Sequence, residues 1–351
     1  MSTIVLTGGG TAGHVTANIN LLPHLQKHFN HIEYIGSKTG IEKELICAQN
    51  IPYHTITTTK FVRKSILKNL KIPFELAKGT KEAKKLLKQI KPSVVFSKGG
   101  FVSVPVVLAA KKLGIPVIAH ESDLSPGLAN RLVSKKCKTI FTSFEQTAQK
   151  LKNGRYSGPP LAAPLDISKE DAKISLGITT SRPVLLITGG SSGAKALNSA
   201  MEAALPEITK EYFVIHLTGK GNKTNFSSLS YIQAEYHNNM PLLMRAADFS
   251  ITRGGSNTIF ELAANNVPMA IVPLPKGTSR GDQIENAAYF KSKGYSITLF
   301  QESLNKKSII FALKELKNNE KQIKQAQKQI NPTAACKTIA TTLAKASSQK
   351  K

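Results

Sequence analysis

His14 closes the glycine-rich run Thr7-Gly8-Gly9-Gly10-Thr11-Ala12-Gly13. A neutral imidazole there could take a proton near pH 7, although a histidine that merely caps a helix fits the same position. Glu121 follows the apolar run IPVIAH and offers a second base; its plainer reading is a solvated carboxylate. Farther along, TRGGSNTIFELAANNVPMAIVPLP (252–275) places Glu261 within the first turns of a helix that follows a glycine turn. A carboxylate so placed can hold two vicinal hydroxyls, as on a ribose. Arg253 could meet a pyrophosphate or pair with Glu261. In GDQIENA (281–287), Asp282, Gln283 and Asn286 fall on one helical face, a carboxylate and two amides suited to sugar hydroxyls. These residue types suggest proton transfer beside a nucleotide and a sugar.

Two segments must position them. RPVLLITGGSSGAKALN (182–198) echoes STIVLTGGGTAGHV (2–15): a β-branched run, Thr-Gly-Gly, small residues, then an apolar-periodic stretch. Each reads as strand, glycine turn and helix N-terminus, where unpaired N–H groups and the helix dipole favour an anion. Gly8-x-Gly10-x-x-Gly13 formally meets a dinucleotide fingerprint, with Glu33 at the right distance but early in its strand. An NAD-dependent oxidoreductase would use that loop and Glu33, yet leaves RGGSNTIFE unexplained. The second loop departs from a P-loop at Ala194 and Ala196.

Strands are expected at 3–7, 31–36, 53–58, 115–122 and 138–144, and 93–114 combines strand, Gly-Gly turn and helix. A second series falls at 183–190, 212–219, 230–236, 248–255 and 268–275, with helices between. Such alternation predicts α/β architecture: two Rossmann-like, doubly wound parallel-sheet lobes facing a cleft. The proline-rich SGPPLAAPLD (157–166) marks the boundary. We therefore expect a first lobe at 1–160, a second at 161–330, and a helical tail at 331–351 packing back across the lobes.

The 351 residues carry 48 Lys plus Arg against 22 Asp plus Glu, a net charge of +26. That excess points to nucleic acid, anionic lipid headgroups or a phosphorylated substrate, or to a general lysine bias. Aromatics at 6% with no stacking motif argue against nucleic acid. Cys47, Cys137 and Cys336 lack metal-ligand spacing and read as reduced thiols. The opening residues lack a basic n-region, which argues against a signal peptide. In 61–88, Ile66, Leu67, Leu70 and Phe74 recur among lysines, the pattern of an interfacial patch or of an amphipathic helix facing a core.

TGGGTAGHV, SKGGFVSVP, HESDLSPGLANR, TGGSSGAKALN, RGGSNTIFELAANNVPMAIVPLP and DQIENA occur in this order. Together they resemble the MurG-type N-acetylglucosaminyl transferases of peptidoglycan synthesis, over essentially the whole chain. The resemblance implies the two-lobed GT-B fold and transfer of N-acetylglucosamine (GlcNAc) from UDP-GlcNAc to lipid I, a lipid-linked muramyl peptide. It implies no cofactor, an anionic membrane surface on the cytoplasmic face as a peripheral docking site, and contacts with other cell-wall synthesis proteins. Carried over, it places Thr11, Ala12, Gly13 and Asp123 against the donor, with His14 or Glu121 catalytic. Ser191, Ser192, Ser256, Asn257 and Thr258 fall by the diphosphate, His237 by the uracil and Arg253 at the nucleotide loop. Glu261 falls on the ribose and Asp282, Gln283 and Asn286 on the sugar. Gly100, Phe101 and Asn130 fall on the acceptor side. Ala162 stands where the family has a hinge arginine, and Phe101 where it has tyrosine. No DxD-type acidic pair follows a strand, which fits metal-independent, inverting transfer. A UDP-GlcNAc epimerase of the same architecture stays the nearer alternative.

Overall fold

The computed structural model describes residues 2–60, 69–190, 194–277 and 279–349. Two compact units result: residues 1–162 with 333–351, and residues 163–332.

In the first unit the strands are β1 (Thr3–Thr7), β2 (His31–Ser37), β3 (Tyr53–Ile56), β4 (Val94–Ser97), β5 (Val117–Glu121), β6 (Thr139–Thr142) and β7 (Gly154–Tyr156). They form one sheet in the order β3-β2-β1-β4-β5-β6-β7, and every pairing is parallel. The order reverses beside β1, so the chain leaves β1 and β4 on either side of a crevice at their carboxyl ends. The sheet is covered on both faces. Ile4 and Leu6 of β1 join Val15, Leu21 and Leu25 of the helix Ala12–Leu25 on one side. Val5, between them, joins Val95, Ala83 and Val106 on the other. Full burial of each large aliphatic side chain contributes about 1.5–3 kcal/mol.

In the second unit the strands are β8 (Val184–Thr188), β9 (Phe213–Leu217), β10 (Tyr231–Ala234), β11 (Phe249–Arg253), β12 (Met269–Val272) and β13 (Ile297–Thr298). They form a parallel sheet in the order β10-β9-β8-β11-β12-β13. The polar strand β7 and the two-residue β13 carry no alternating or continuous apolar signal, which is why periodicity passes over them.

The helix Ala334–Ser348 belongs to the first unit. Its Cys336, Ile339 and Leu343 are buried in the same cluster as Ile4 and Leu6.

Candidate active site

In the first unit, glycine turns follow β1 and β4 and pack on each other. Gly100 adopts φ +78°, and a Cβ there would lie 2.2 Å from the Gly9 carbonyl oxygen and 3.2 Å from His14 Nδ1. Gly10, at φ +83°, leaves room for the Phe101 ring, which a Cβ would meet at 2.6 Å. Only glycine combines those backbone angles with that approach. Tyr34 braces the first turn from β2: its hydroxyl donates to Gly8 O at 2.7 Å and accepts from Asn18 Nδ2 at 3.1 Å.

His14 lies in the first turn of the helix Ala12–Leu25, half-buried behind Thr11, Ala12 and Gly13. Its Nδ1 is 3.1 Å from Gly9 O and 3.1 Å from Thr11 Oγ1. A carbonyl cannot donate, so the Gly9 contact assigns the proton to Nδ1 and makes Nε2 the basic nitrogen.

Glu121 ends β5 and is buried, which departs from the solvated carboxylate or cleft-mouth base of the sequence reading. Its Oε1 accepts from Asp123 N (3.0 Å), and its Oε2 from Gly127 N (2.8 Å) and Asn130 Nδ2 (2.9 Å). With three donors in place, Glu121 clamps the Ser122–Gly127 loop. Asn130 is buried as well, its Nδ2 also donating to His120 O at 3.1 Å, and its amide packs against Gly99. It shapes the rim from behind.

Two residues that sequence reasoning did not single out stand beside these. Glu42, in the helix Ile41–Cys47, is fully buried; it accepts from Gly10 N (3.4 Å) and from Ser37 N and Oγ. A carboxylate in that place repels a pyrophosphate from the β1 turn at Gly9–Gly10. Glu33 meanwhile sits mid-strand opposite Val5 and pairs with His54 Nε2 at 2.6 Å. The oxidoreductase reading loses both its phosphate seat and its ribose ligand. Lys98, one residue before Gly99, is buried with its Nζ on Ser122 Oγ. A lysine ending the apolar run VVFS was the available signal; the surface-like heptad IEKELIC gave none for Glu42.

In the second unit the helix Ser256–Ala264 follows β11 after Gly254 and Gly255. It has no side-chain cap and no acid in its first turn. The same holds for the helices Ala12–Leu25 and Lys195–Glu211. By contrast the helix Lys169–Ser175 carries a Ser168 cap with Glu170 and Asp171 in its first turn. The helices Lys195–Glu211 and Ser256–Ala264 thus leave their positive ends open to an anion, whereas Glu42 already holds the Gly10 amide before Ala12–Leu25. Ser191 and Ser192 lie outside the described residues. Asn198 is buried; its Nδ2 donates to Thr218 O (2.8 Å), so its Oδ1 accepts from His216 Nε2 (3.2 Å).

Asn257, Thr258 and Glu261 share the partly accessible face of their helix, while Ser256, Ile259 and Phe260 turn inward. Among the described residues the Glu261 carboxyl has no hydrogen-bond or ion-pair partner. Desolvation alone pushes its pKa up to about 7. An unpartnered carboxyl of this kind is costly to keep unless a ligand supplies donors. Arg253 does not pair with it. The guanidinium is buried, donating to Val272 O (3.2 Å) and Gln301 Oε1 (2.7 Å).

Gln283 Oε1 accepts from Gly254 N (3.2 Å) and Leu274 N (3.1 Å), stitching two strand ends together. Asn286 is fully buried and donates to Gly254 O at 3.1 Å, so it helps set the turn. Asp282 begins its helix 3.7 Å from Arg280 Nη2. His237 follows β10, its Nδ1 accepting from Asn239 N at 3.1 Å. Among the described residues no group of three His, Cys, Asp or Glu is arranged to hold a metal ion.

The profile of the glycosyltransferase family 28 N-terminal domain matches residues 4–142, and that of the family's C-terminal domain matches 184–343. The UDP-N-acetylglucosamine--N-acetylmuramyl-(pentapeptide) pyrophosphoryl-undecaprenol N-acetylglucosamine transferase 2 of Bacillus cereus is 44% identical over 345 residues, covering 97% of this chain and 98% of that protein. The crystal structure of Acinetobacter baumannii MurG superposes with a TM-score of 0.74 at 25% identity, covering 98% of this chain and 100% of that one. The UDP-GlcNAc 2-epimerase from Neisseria meningitidis, solved with UDP-GlcNAc, shares the fold alone: TM-score 0.69 at 14% identity, over 98% and 100% of the two chains. The chain belongs to glycosyltransferase family 28, among its MurG-type N-acetylglucosamine transferases.

Proposed function

We propose that the enzyme transfers GlcNAc from UDP-GlcNAc to the 4-hydroxyl of lipid I, with inversion at the anomeric carbon and without a divalent metal. The observation that carries the reading is the unpartnered Glu261 carboxyl on a helix whose uncapped N-terminus follows a Gly-Gly turn. One helix then offers amides for a diphosphate and a carboxylate for two ribose hydroxyls. As the bond to the diphosphate breaks, negative charge grows on the leaving oxygen, and oriented N–H groups there stabilise it without reorganising. Thr258 and Asn257 share that face, and the Gln283 amide nitrogen, without a protein partner among the described residues, suits a sugar hydroxyl. On the acceptor side His14 Nε2 takes the proton of the attacking hydroxyl, with the Gly9 carbonyl stabilising the resulting imidazolium through Nδ1.

An anchored acceptor requires a visit to the membrane surface. The helix Ile72–Ile90 supports this with Phe74 79% exposed and, just before it, Leu70 63% exposed. Lys71, Lys78, Lys81, Lys85 and Lys88 are exposed around them. Ile66 and Leu67 lie outside the described residues. Among the described residues no helix is long and apolar enough to cross a membrane. The attachment proposed from Leu70, Phe74 and the lysines is peripheral, at about 1 kcal/mol per basic residue near an anionic surface.

Radiolabelled UDP-GlcNAc incubated with a lipid I analogue tests the transferase reading. A lipid-linked disaccharide with a β-glycosidic bond is the expected product. Donor recovered intact in the presence of acceptor would refute transfer, and donor epimerised at C2 would favour the epimerase instead.

A further inference from the structure

Lys98 presents an ammonium group, fully buried at the carboxyl end of β4, with Ser122 Oγ as its hydrogen-bond partner. An ammonium carries three donors, and leaving two of them unmatched in the interior is costly. The fold by itself calls for an apolar side chain at this place, since replacing buried charge by well-packed hydrophobes is commonly neutral or stabilising. The charged and titratable groups that face Lys98 come from several elements. Glu121 and His120 end β5 and Asp123 lies in the following loop, while His14, from the helix after β1, acts on His120 in turn. Glu42 lies beyond Gly9 and Gly10 on the far side of the first turn.

One loop meets both charges. Glu121 accepts from the amides of Asp123 and Gly127, near its two ends, while Lys98 donates to the hydroxyl of Ser122 at its start. Through Asn130, Glu121 also reaches the amide packed on Gly99, the residue next to Lys98. The Ser122–Gly127 loop and the Gly99–Gly100 turn are therefore fixed by the same pair of charges.

We propose that Lys98 is a positioning residue whose positive charge holds the Ser122–Gly127 loop against the Gly99–Gly100 turn in the form that receives the acceptor. This rests on the transferase reading above, which puts Gly100 and Asn130 on the acceptor side. Burial lowers the Lys98 ammonium to about 8, with Glu121 and then Asp123 opposing the shift. The charge is thus present at pH 7 and lost as pH rises through 8. Acceptor recognition should weaken in that window, and recognition of the nucleotide by the Glu261 helix, which lies in the other unit, should not.

The test measures acceptor KM, donor KM and kcat of the intact enzyme between pH 6.5 and 9.5 with a lipid I analogue. In the wild type the acceptor KM should climb about tenfold across the alkaline window, the effect of roughly one pKa unit of lost interaction, with donor KM level above pH 8, where Glu261 is already ionised. Lys98→Met should show the raised acceptor KM at every pH and no climb. Lys98→Arg, charged throughout, should keep a low KM to pH 9.5. An acceptor KM at pH 7 unchanged in Lys98→Met, or a climb that persists in it, overturns the proposal. Thermal unfolding and UDP affinity report folding of each variant; if the arginine variant does not fold, the wild-type and methionine profiles decide. A wild type without any transfer strikes the transferase reading, whereas transfer with a KM indifferent to Lys98 strikes only the role of Lys98.

Discussion

His14 Nδ1 lies 3.1 Å from the carbonyl oxygen of Gly9, within the same glycine turn that Gly100 covers from β4. The bond orients the ring and selects its tautomer, so the imidazole is presented as a base. His14→Ala should lower kcat by about 10²–10⁴, the usual worth of a positioned general base, with the affinity for UDP unchanged. Single-turnover rates with pre-bound donor check this; a variant that keeps kcat within a factor of a few removes His14 from proton transfer. Glu121→Ala should act differently, raising acceptor KM and lowering the thermal midpoint because two loop amides and the Asn130 side chain lose their acceptor.

Glu261 should couple donor binding to pH. Its pKa stands near 7 in the free protein, above the unfolded value, so its contribution to stability is present below about 4.5 and lost as pH rises through 7. Two ribose hydroxyls would stabilise the carboxylate and draw that pKa down. UDP binding is therefore expected to release a fraction of a proton near pH 6.5 and to tighten as pH rises through 7. Calorimetry in buffers of different ionisation enthalpy measures the release. Glu261→Gln should abolish it and weaken UDP by about tenfold to a hundredfold, at ~1.5–3 kcal/mol for a charged hydrogen-bond acceptor. Unchanged proton release in that variant would remove Glu261 from the nucleotide.

His216 predicts acid sensitivity of the second unit. Buried between Asn198 and Tyr231 OH (3.0 Å), it is held neutral by desolvation, its pKa lowered to about 4. A depressed histidine contributes stability that is complete above pH 6.5 and is lost as pH falls toward 4. The span is worth on the order of 3 kcal/mol. Urea midpoints at pH 7 and pH 5 should therefore differ, and His216→Gln should shrink the difference. Equal pH dependence in both proteins would show that other groups govern acid unfolding.

Leu70 and Phe74 should anchor the protein to anionic vesicles. Replacing both with serine is expected to weaken sedimentation with phosphatidylglycerol liposomes by about tenfold or more, at ~1.5–3 kcal/mol per apolar side chain. Soluble-substrate turnover should be unaffected. Binding that persists undiminished would place the membrane contact elsewhere.

Much of this was legible in the sequence, for physical reasons that differ between residues. Strands such as Val184–Thr188 are buried on both faces and read as unbroken apolar runs. The turns at Gly10 and Gly100 announced themselves because no other residue takes those angles against a neighbouring backbone. Glu261 could be placed because its helix offset is local. Arg253, Gln283 and Asn286 could not be resolved in the same way. Their positions along the chain were right for a rim, but rotamers direct them to Val272, Leu274 and Gly254. Spacing fixes which face a side chain shares and leaves open which partner it finds. Glu42 was invisible because its burial depends on a turn 32 residues earlier in the chain.

The helix Ala334–Ser348 completes a core whose first strand begins at Thr3. Translation therefore delivers the whole of the second unit before the first can close. During synthesis the face of β1 carrying Ile4 and Leu6 has the helix Ala12–Leu25 but waits for its last cover while some 300 residues emerge, at 5–20 residues per second. The early half of the chain is then the late one to mature. A lesion in the last helix should appear as aggregation of the oldest part of the nascent chain, with the second unit already folded.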